Sequence, residues 1–106
     1  MKTEIALLRN IGAERPYGAT KPLEIVEAEL SEPESGEMLV KIAAAGLCHS
    51  DLSVINGDRP RDMPLALGHE ASAVVEAVGP NVTRFATGDH IVLIFAPSCG
   101  HCLPCD

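Results

Sequence analysis

Four cysteines and a histidine are the residues of this 106-residue chain best suited to chemistry. Cys99, Cys102 and Cys105 follow one another at three-residue intervals in Cys-Gly-His-Cys-Leu-Pro-Cys. Thiolates so spaced in a tight turn can point at one centre, and Gly100 and Pro104 suit such a turn. A closed structural Zn²⁺ site takes four ligands. Three are supplied here, and His101 is too constrained between two of them to be the fourth, which is expected from elsewhere. Three other readings compete. An iron–sulfur cluster would continue to a further Cys-Pro, which is absent from these residues. A Cys-x-x-Cys redox pair usually accompanies a βαβ pattern, and none is visible. Disulfides or free thiols are the bland reading, with disulfides disfavoured in the absence of a secretory signal. Ligand type and spacing favour structural zinc.

Cys48 stands apart, in Gly46-Leu47-Cys48-His49-Ser50-Asp51, and Gly68-His69-Glu70 follows downstream. Alone, Cys48 reads as a small buried hydrophobe and His69 as a hydrogen-bonded structural histidine. Together they are good zinc ligands, and a site with an open position would be catalytic rather than structural. Asp51 and Glu70 sit beside them. A carboxylate there can accept the second ring N–H of a ligand histidine and fix its tautomer. The Ser50 hydroxyl could carry a proton to or from a bound oxygen.

The elements that must position these groups are short. Nine Gly and eight Pro punctuate the chain. Between them, Glu4–Leu8, Leu23–Leu30, Glu37–Ala44, Ala71–Val78 and His90–Phe95 read as strands. The alternation slips between Ile25 and Val26, which predicts a bulge. His90–Phe95, rich in β-branched residues, predicts a strand buried on both faces. One short helix is expected over His49–Asn56, ended by Asn56-Gly57. Residues 31–36, 79–81 and 87–89 read as turns, and 58–64 as an irregular loop. This pattern predicts a mainly β fold, a small barrel or sandwich, with a Cys-rich loop at its C-terminal end.

Composition removes several classes of function. Apolar residues make up 46% and charged residues 22%, enough of a core to exclude a disordered tail. No apolar run approaches the ~20 residues of a membrane span, and Glu4, Arg9 and Glu14 interrupt any signal peptide. The net charge of −7 disfavours a nucleic-acid partner. Only Tyr17, Phe85 and Phe95 are aromatic, and a small core with few large side chains often needs a metal staple.

Taken in order, these motifs resemble the zinc-dependent alcohol dehydrogenases of the medium-chain dehydrogenase/reductase family. Residues 46–51, Gly68-His69-Glu70, Gly79 with Val82, Gly88-Asp89-His90 and Pro97-Ser98-Cys99-Gly100-His101-Cys102 carry the resemblance, with no gap from Cys48 to His69. It implies that residues 1–106 form the N-terminal portion of a catalytic domain, an incomplete GroES-like barrel. Cys48 and His69 would bind the catalytic zinc, with Ser50 as proton relay, Asp51 behind the ligand histidine and Glu70 behind the metal. His49 would face the cofactor pyrophosphate. Cys99, Cys102 and Cys105 would be three of four structural-zinc ligands.

The implied activity is oxidation of a small alcohol, or reduction of an aldehyde, by hydride transfer with NAD or NADP, zinc polarising the substrate oxygen. The nucleotide-binding Rossmann domain is not in these residues, because no Gly-x-Gly-x-x-Gly follows a strand. The fragment alone is therefore expected to be inactive, and the full-length form to be a cytoplasmic homo-oligomer with no membrane or nucleic-acid partner. Three positions depart from the family pattern: Ala73 replaces a glycine, Ser53 replaces a relay-terminating histidine for which His49 is a substitute, and Arg59 puts a charge in a loop that lines the pocket in relatives. A rival reading is a stand-alone zinc-binding or interaction module without catalysis. Ser50 and Asp51 beside Cys48 argue against it, since a structural metal module needs neither.

Overall fold

Short β-prone runs separated by Gly and Pro fold into six strands and two short helices. The computed structural model describes residues 1–105. In chain order these are β1 (Lys2–Leu8), α1 (Tyr17–Thr20), β2 (Leu23–Glu29), β3 (Met38–Ala45), α2 (His49–Asn56), β4 (Leu65–Leu67), β5 (Ala71–Val78) and β6 (His90–Leu93). A 3-10 turn over Leu103–Cys105 closes the cysteine loop. The strands form two antiparallel three-stranded sheets, β2-β1-β4 and β3-β5-β6, neither of them closed into a barrel. Among the described residues no helix is long and apolar enough to cross a membrane.

Each sheet buries its central strand most deeply. Leu8 at the end of β1 is fully buried, opposite Leu23 of β2 and Leu65 of β4. It packs with Val54 and Ile55 of α2, and Tyr17, Met63, Leu65 and Leu67 lean on that cluster. This contact seats α2 on the first sheet. In the second sheet Ala73 and Val75 of β5 are buried. The apolar periodicity of α2 thus places its C-terminal half in the core and leaves its first turn free for chemistry.

Two expectations are corrected. β2 carries no bulge: it pairs residue for residue with β1 from Lys2↔Glu29 to Leu8↔Leu23. The doubled apolar pair arises because Val26 faces inward while Ile25 stays 70% exposed on the outer face. The register shifts lie in β3 instead, between Leu39 and Val40 and between Ile42 and Ala44, where β3 meets β5. Nor is the last strand buried on both faces. It ends at Leu93, its residues alternate between a half-buried and an open face, and Val92 on the open face is 74% exposed, with Ile94 and Phe95 similarly open. β4 was not anticipated, being three residues between Pro64 and Gly68. The single helical turn α1 was also not anticipated.

The turns at residues 31–36 and 79–81 lock onto each other. Gly36 N–H donates to the Pro80 carbonyl at 2.8 Å, Gly79 N–H to the Glu37 carbonyl at 2.8 Å, and Asn81 Nδ2 to Ser35 Oγ at 2.8 Å. Gly79 has no room for a side chain, because a Cβ there would stand 2.0 Å from the Glu34 carbonyl oxygen. The obstacle is backbone and cannot rotate away. Gly79→Ala is therefore expected to destabilise the fold by about 1–3 kcal/mol, read as a lowered urea midpoint at unchanged slope.

Candidate metal centre and substrate cavity

α2 begins where β3 ends, and that junction builds the site. Cys48 is the N-cap residue in extended conformation, and Ser50 and Asp51 lie in the first helical turn. Asp51 is well placed there, since a carboxylate complements the positive helix N-terminus. Gly57 ends the helix at φ +86°, with its N–H donating back into the last turn. On the other side β4 leads to Gly68, whose φ of +112° swings the chain and aims His69 at the start of α2. Gly46 N–H donates to the Glu70 carbonyl at 2.9 Å, which ties the two segments together.

The five residues Cys48, Ser50, Asp51, His69 and Glu70 meet in one place. Ser50 Oγ donates to Cys48 Sγ at 3.1 Å and lies 3.2 Å from His69 Nε2. His69 Nδ1 is 3.2 Å from Asp51 Oδ1. An ionised carboxylate can only accept, so Nδ1 carries the proton and Nε2 presents its lone pair to the site. Glu70 Oε1 is 3.7 Å from the same Nε2. Hydrogen bonds from the Ser50 side chain and backbone, then from His69, lower the Cys48 thiol. The hydrogen bond with Cys48, ahead of the Asp51 charge, raises His69. Binding of a divalent cation favours the thiolate of Cys48 and the neutral, Nδ1-protonated form of His69.

The residues fit zinc. Ligand atoms of Cys48, His69 and Glu70 all lie within 4.8 Å of one another. A thiolate, an imidazole and a carboxylate are the donor types zinc prefers. The ring edge of Phe95 meets the His69 imidazole at 6.0 Å between centroids and 82° between planes. Phe95 carries no sequence signal of this role, because nothing local distinguishes the end of an apolar run from the wall of a site.

Cys99, Cys102 and Cys105 form a second, exposed group, with sulfurs again within 4.8 Å of one another. Cys102 and Cys105 Sγ are 3.3 Å apart and Cys99 and Cys105 Sγ 3.9 Å, well beyond a disulfide bond. Backbone N–H groups of Gly100 and His101 donate to Cys105 and Cys99 Sγ, each at 3.4 Å. Hydrogen bonds from Cys102 and then Gly100 pull the Cys105 thiol down to about 7, and the His101 N–H leads those that lower Cys99. The hydrogen bonds with Cys105 and Cys99 raise Cys102 in turn, and three sulfurs gathered on one turn, two of them eased toward thiolate, suit zinc.

His49 is not brought into either group. It is the exposed first residue of α2, and its carbonyl accepts from Ser53 Oγ at 3.2 Å. A cavity of about 510 Å³ opens against the first group. Cys48, Ser50, Asp51 and His69 line it at one end and Val54, Leu65, Leu67 and Phe95 along its walls, with Arg59 and Arg61 from the loop before β4. Arg59 is expected there from the sequence, and Arg61 joins it only through the cavity's shape.

Comparison with known proteins places these features in a family. Residues 34–106 match the alcohol dehydrogenase GroES-like domain. An NDMA-dependent alcohol dehydrogenase of Amycolatopsis methanolica is 48% identical over 105 residues, 99% of this chain and 26% of that protein. An S-(hydroxymethyl)glutathione dehydrogenase of Synechocystis is 40% identical over 106 residues, 99% of this chain and 27% of that protein. Among solved structures, an alcohol dehydrogenase zinc-binding domain protein from Burkholderia ambifaria superposes with a TM-score of 0.83 at 43% identity, covering 99% of this chain and 26% of that one. The chain thus spans about a quarter of the length of the relatives it matches.

Proposed function

Because this chain belongs to the alcohol dehydrogenase GroES-like domain family, we propose that it supplies the metal and proton-transfer half of a zinc- and NAD(P)-dependent alcohol dehydrogenase. The observation that carries this reading is the Ser50 hydroxyl, set 3.1 Å from Cys48 Sγ and 3.2 Å from His69 Nε2. A purely structural metal knot needs no exchangeable hydroxyl wedged between two of its ligands. Cys48 and His69 would hold the catalytic zinc, with Glu70 beside them, and Cys99, Cys102 and Cys105 a structural one. Zinc, when bound, supplies Lewis-acid polarisation of the substrate oxygen.

The chain's own residues do the rest. Asp51 fixes the His69 ring by accepting from Nδ1. Ser50 Oγ accepts the hydroxyl proton of an alcohol bound at this corner as it releases its own to solvent in the open cavity, and the relay runs the other way to an aldehyde oxygen. Val54, Leu65, Leu67 and Phe95 give an apolar wall to the carbon that exchanges hydride. The nicotinamide carries the hydride. Its binding falls to parts of the relatives' length that these residues do not span, so the 106 residues alone are expected to bind metal without turnover. His49, at the exposed start of α2, is the residue we assign to the cofactor phosphates. Four unbonded cysteines suit a reducing cytoplasm. Assembly of the whole enzyme as a homo-oligomer is part of the same proposal.

Ser50→Ala in the protein at its native length tests this. We expect kcat to fall by about 10²–10⁴ while bound zinc is retained, because proton transfer is lost and the ligands are not. Unchanged turnover in that variant would remove the relay role.

A further inference from the structure

The cavity beside the metal corner carries charge that the proposed chemistry does not use. Arg59 and Arg61 line it together with Cys48, Ser50 and His69. Among the described residues, neither guanidinium forms an ion pair, although Asp58 and Asp62 flank them in sequence. Arg61 Nη1 donates to the Pro60 carbonyl at 3.1 Å, which leaves its remaining N–H groups free. Asp51 is the sole carboxylate among the residues lining the cavity, and it is engaged by His69 Nδ1.

We propose that Arg59 and Arg61 select substrates bearing a carboxylate at the end remote from the reacting oxygen. This rests on the function proposed above and names its substrate class. The placement follows from α2. Its first turn carries Ser50 and Asp51, and its last turn anchors the arginine loop, since the N–H groups of Asp58 and Arg59 both donate to the Ser53 carbonyl, at 2.9 and 3.2 Å. Eight helical residues rise about 12 Å, so the two functional ends stand on the order of one small substrate's length apart.

Charge sets the choice. Two guanidiniums without ion-pair partners line the cavity, and its sole carboxylate is already engaged by His69, which suits an anionic substrate group. The chain as a whole carries −7. Its general field repels anions, but that field is screened within about 8 Å at physiological salt, whereas a guanidinium fork meets a carboxylate at hydrogen-bond distance. An uncharged, apolar substrate gains nothing from two unpaired arginines.

The test compares ω-hydroxyhexanoate with its neutral isostere ω-hydroxyhexanamide, in the protein at native length and in the exposed-loop double variant Arg59→Gln/Arg61→Gln. We expect kcat/KM to favour the carboxylate by about tenfold or more, mainly through KM, and the ratio to approach one in the double variant. Arg59→Lys/Arg61→Lys should restore part of it. Calorimetric binding of hexanoate, which has no hydroxyl to oxidise, is the second readout, with hexanamide as control. Arginine-dependent hexanoate binding without oxidation of either alcohol would uphold the charge selection and overturn the dehydrogenase reading. Oxidation of both alcohols with equal kcat/KM would overturn the selection and leave that reading standing. Hexanoate binding that is absent, or unchanged in the double variant, would also overturn it.

Discussion

Replacing His69 with alanine in the protein at native length is expected to lower kcat/KM by roughly three orders of magnitude or more, with loss of one equivalent of zinc. His69 offers the Nε2 lone pair within 4.8 Å of the Cys48 and Glu70 ligand atoms. Without it the corner keeps only one thiolate and one carboxylate. Ser50 Oγ loses one of its two partners, and Asp51 loses the Nδ1–H it accepts. The metal at Cys99, Cys102 and Cys105 should stay, since among the described residues no hydrogen bond links that group to His69. Folding should be little changed, because the His69 side chain is 25% exposed and is not among the buried core residues. Elemental analysis beside circular dichroism separates these effects. A variant that kept full metal and full turnover would show that His69 is not a ligand.

Leu8→Ala is expected to cost about 2–5 kcal/mol of stability, a large part of what a domain of this size possesses. Leu8 is fully buried in a chain where only Val54, Ile55, Ala73 and Val75 join it as buried apolar residues among those described. Few neighbours are free to collapse into the space, since β1 is fixed on both sides by β2 and β4. Each kcal/mol should lower Tm by about 4–8 °C. The same substitution loosens the seat of α2, because Leu8 packs on Val54 and Ile55 of that helix. Zinc affinity at the Cys48 corner should therefore fall with stability, although Leu8 touches no ligand. A melt unchanged within a degree or two would refute this account of the core.

Much of the site was legible because metal chemistry restricts residue type and spacing severely. Cys48, Ser50, Asp51, His69 and Glu70 could be named as candidates before any geometry was known, and α2 was anticipated at His49–Asn56. What was lost depends on three-dimensional neighbours. Whether the apolar pair Ile25-Val26 means a bulge or one exposed isoleucine is decided by the partner strand, not by β2 itself. Whether residues 90–95 lie under a second layer depends on what packs on the faces of β6, and one face is left open, with Val92 74% exposed. Arg61 and Phe95 acquire meaning solely from the cavity they share with His69.

Titration of the metal-free protein with Co²⁺, followed by visible absorption, tests the central claim most directly. The account predicts two separable cobalt–thiolate sites. One disappears in Cys48→Ser and in His69→Ala, and the other in Cys102→Ser. A single class of site, insensitive to loss of Cys48 and His69, would contradict the claim that these residues form a metal centre.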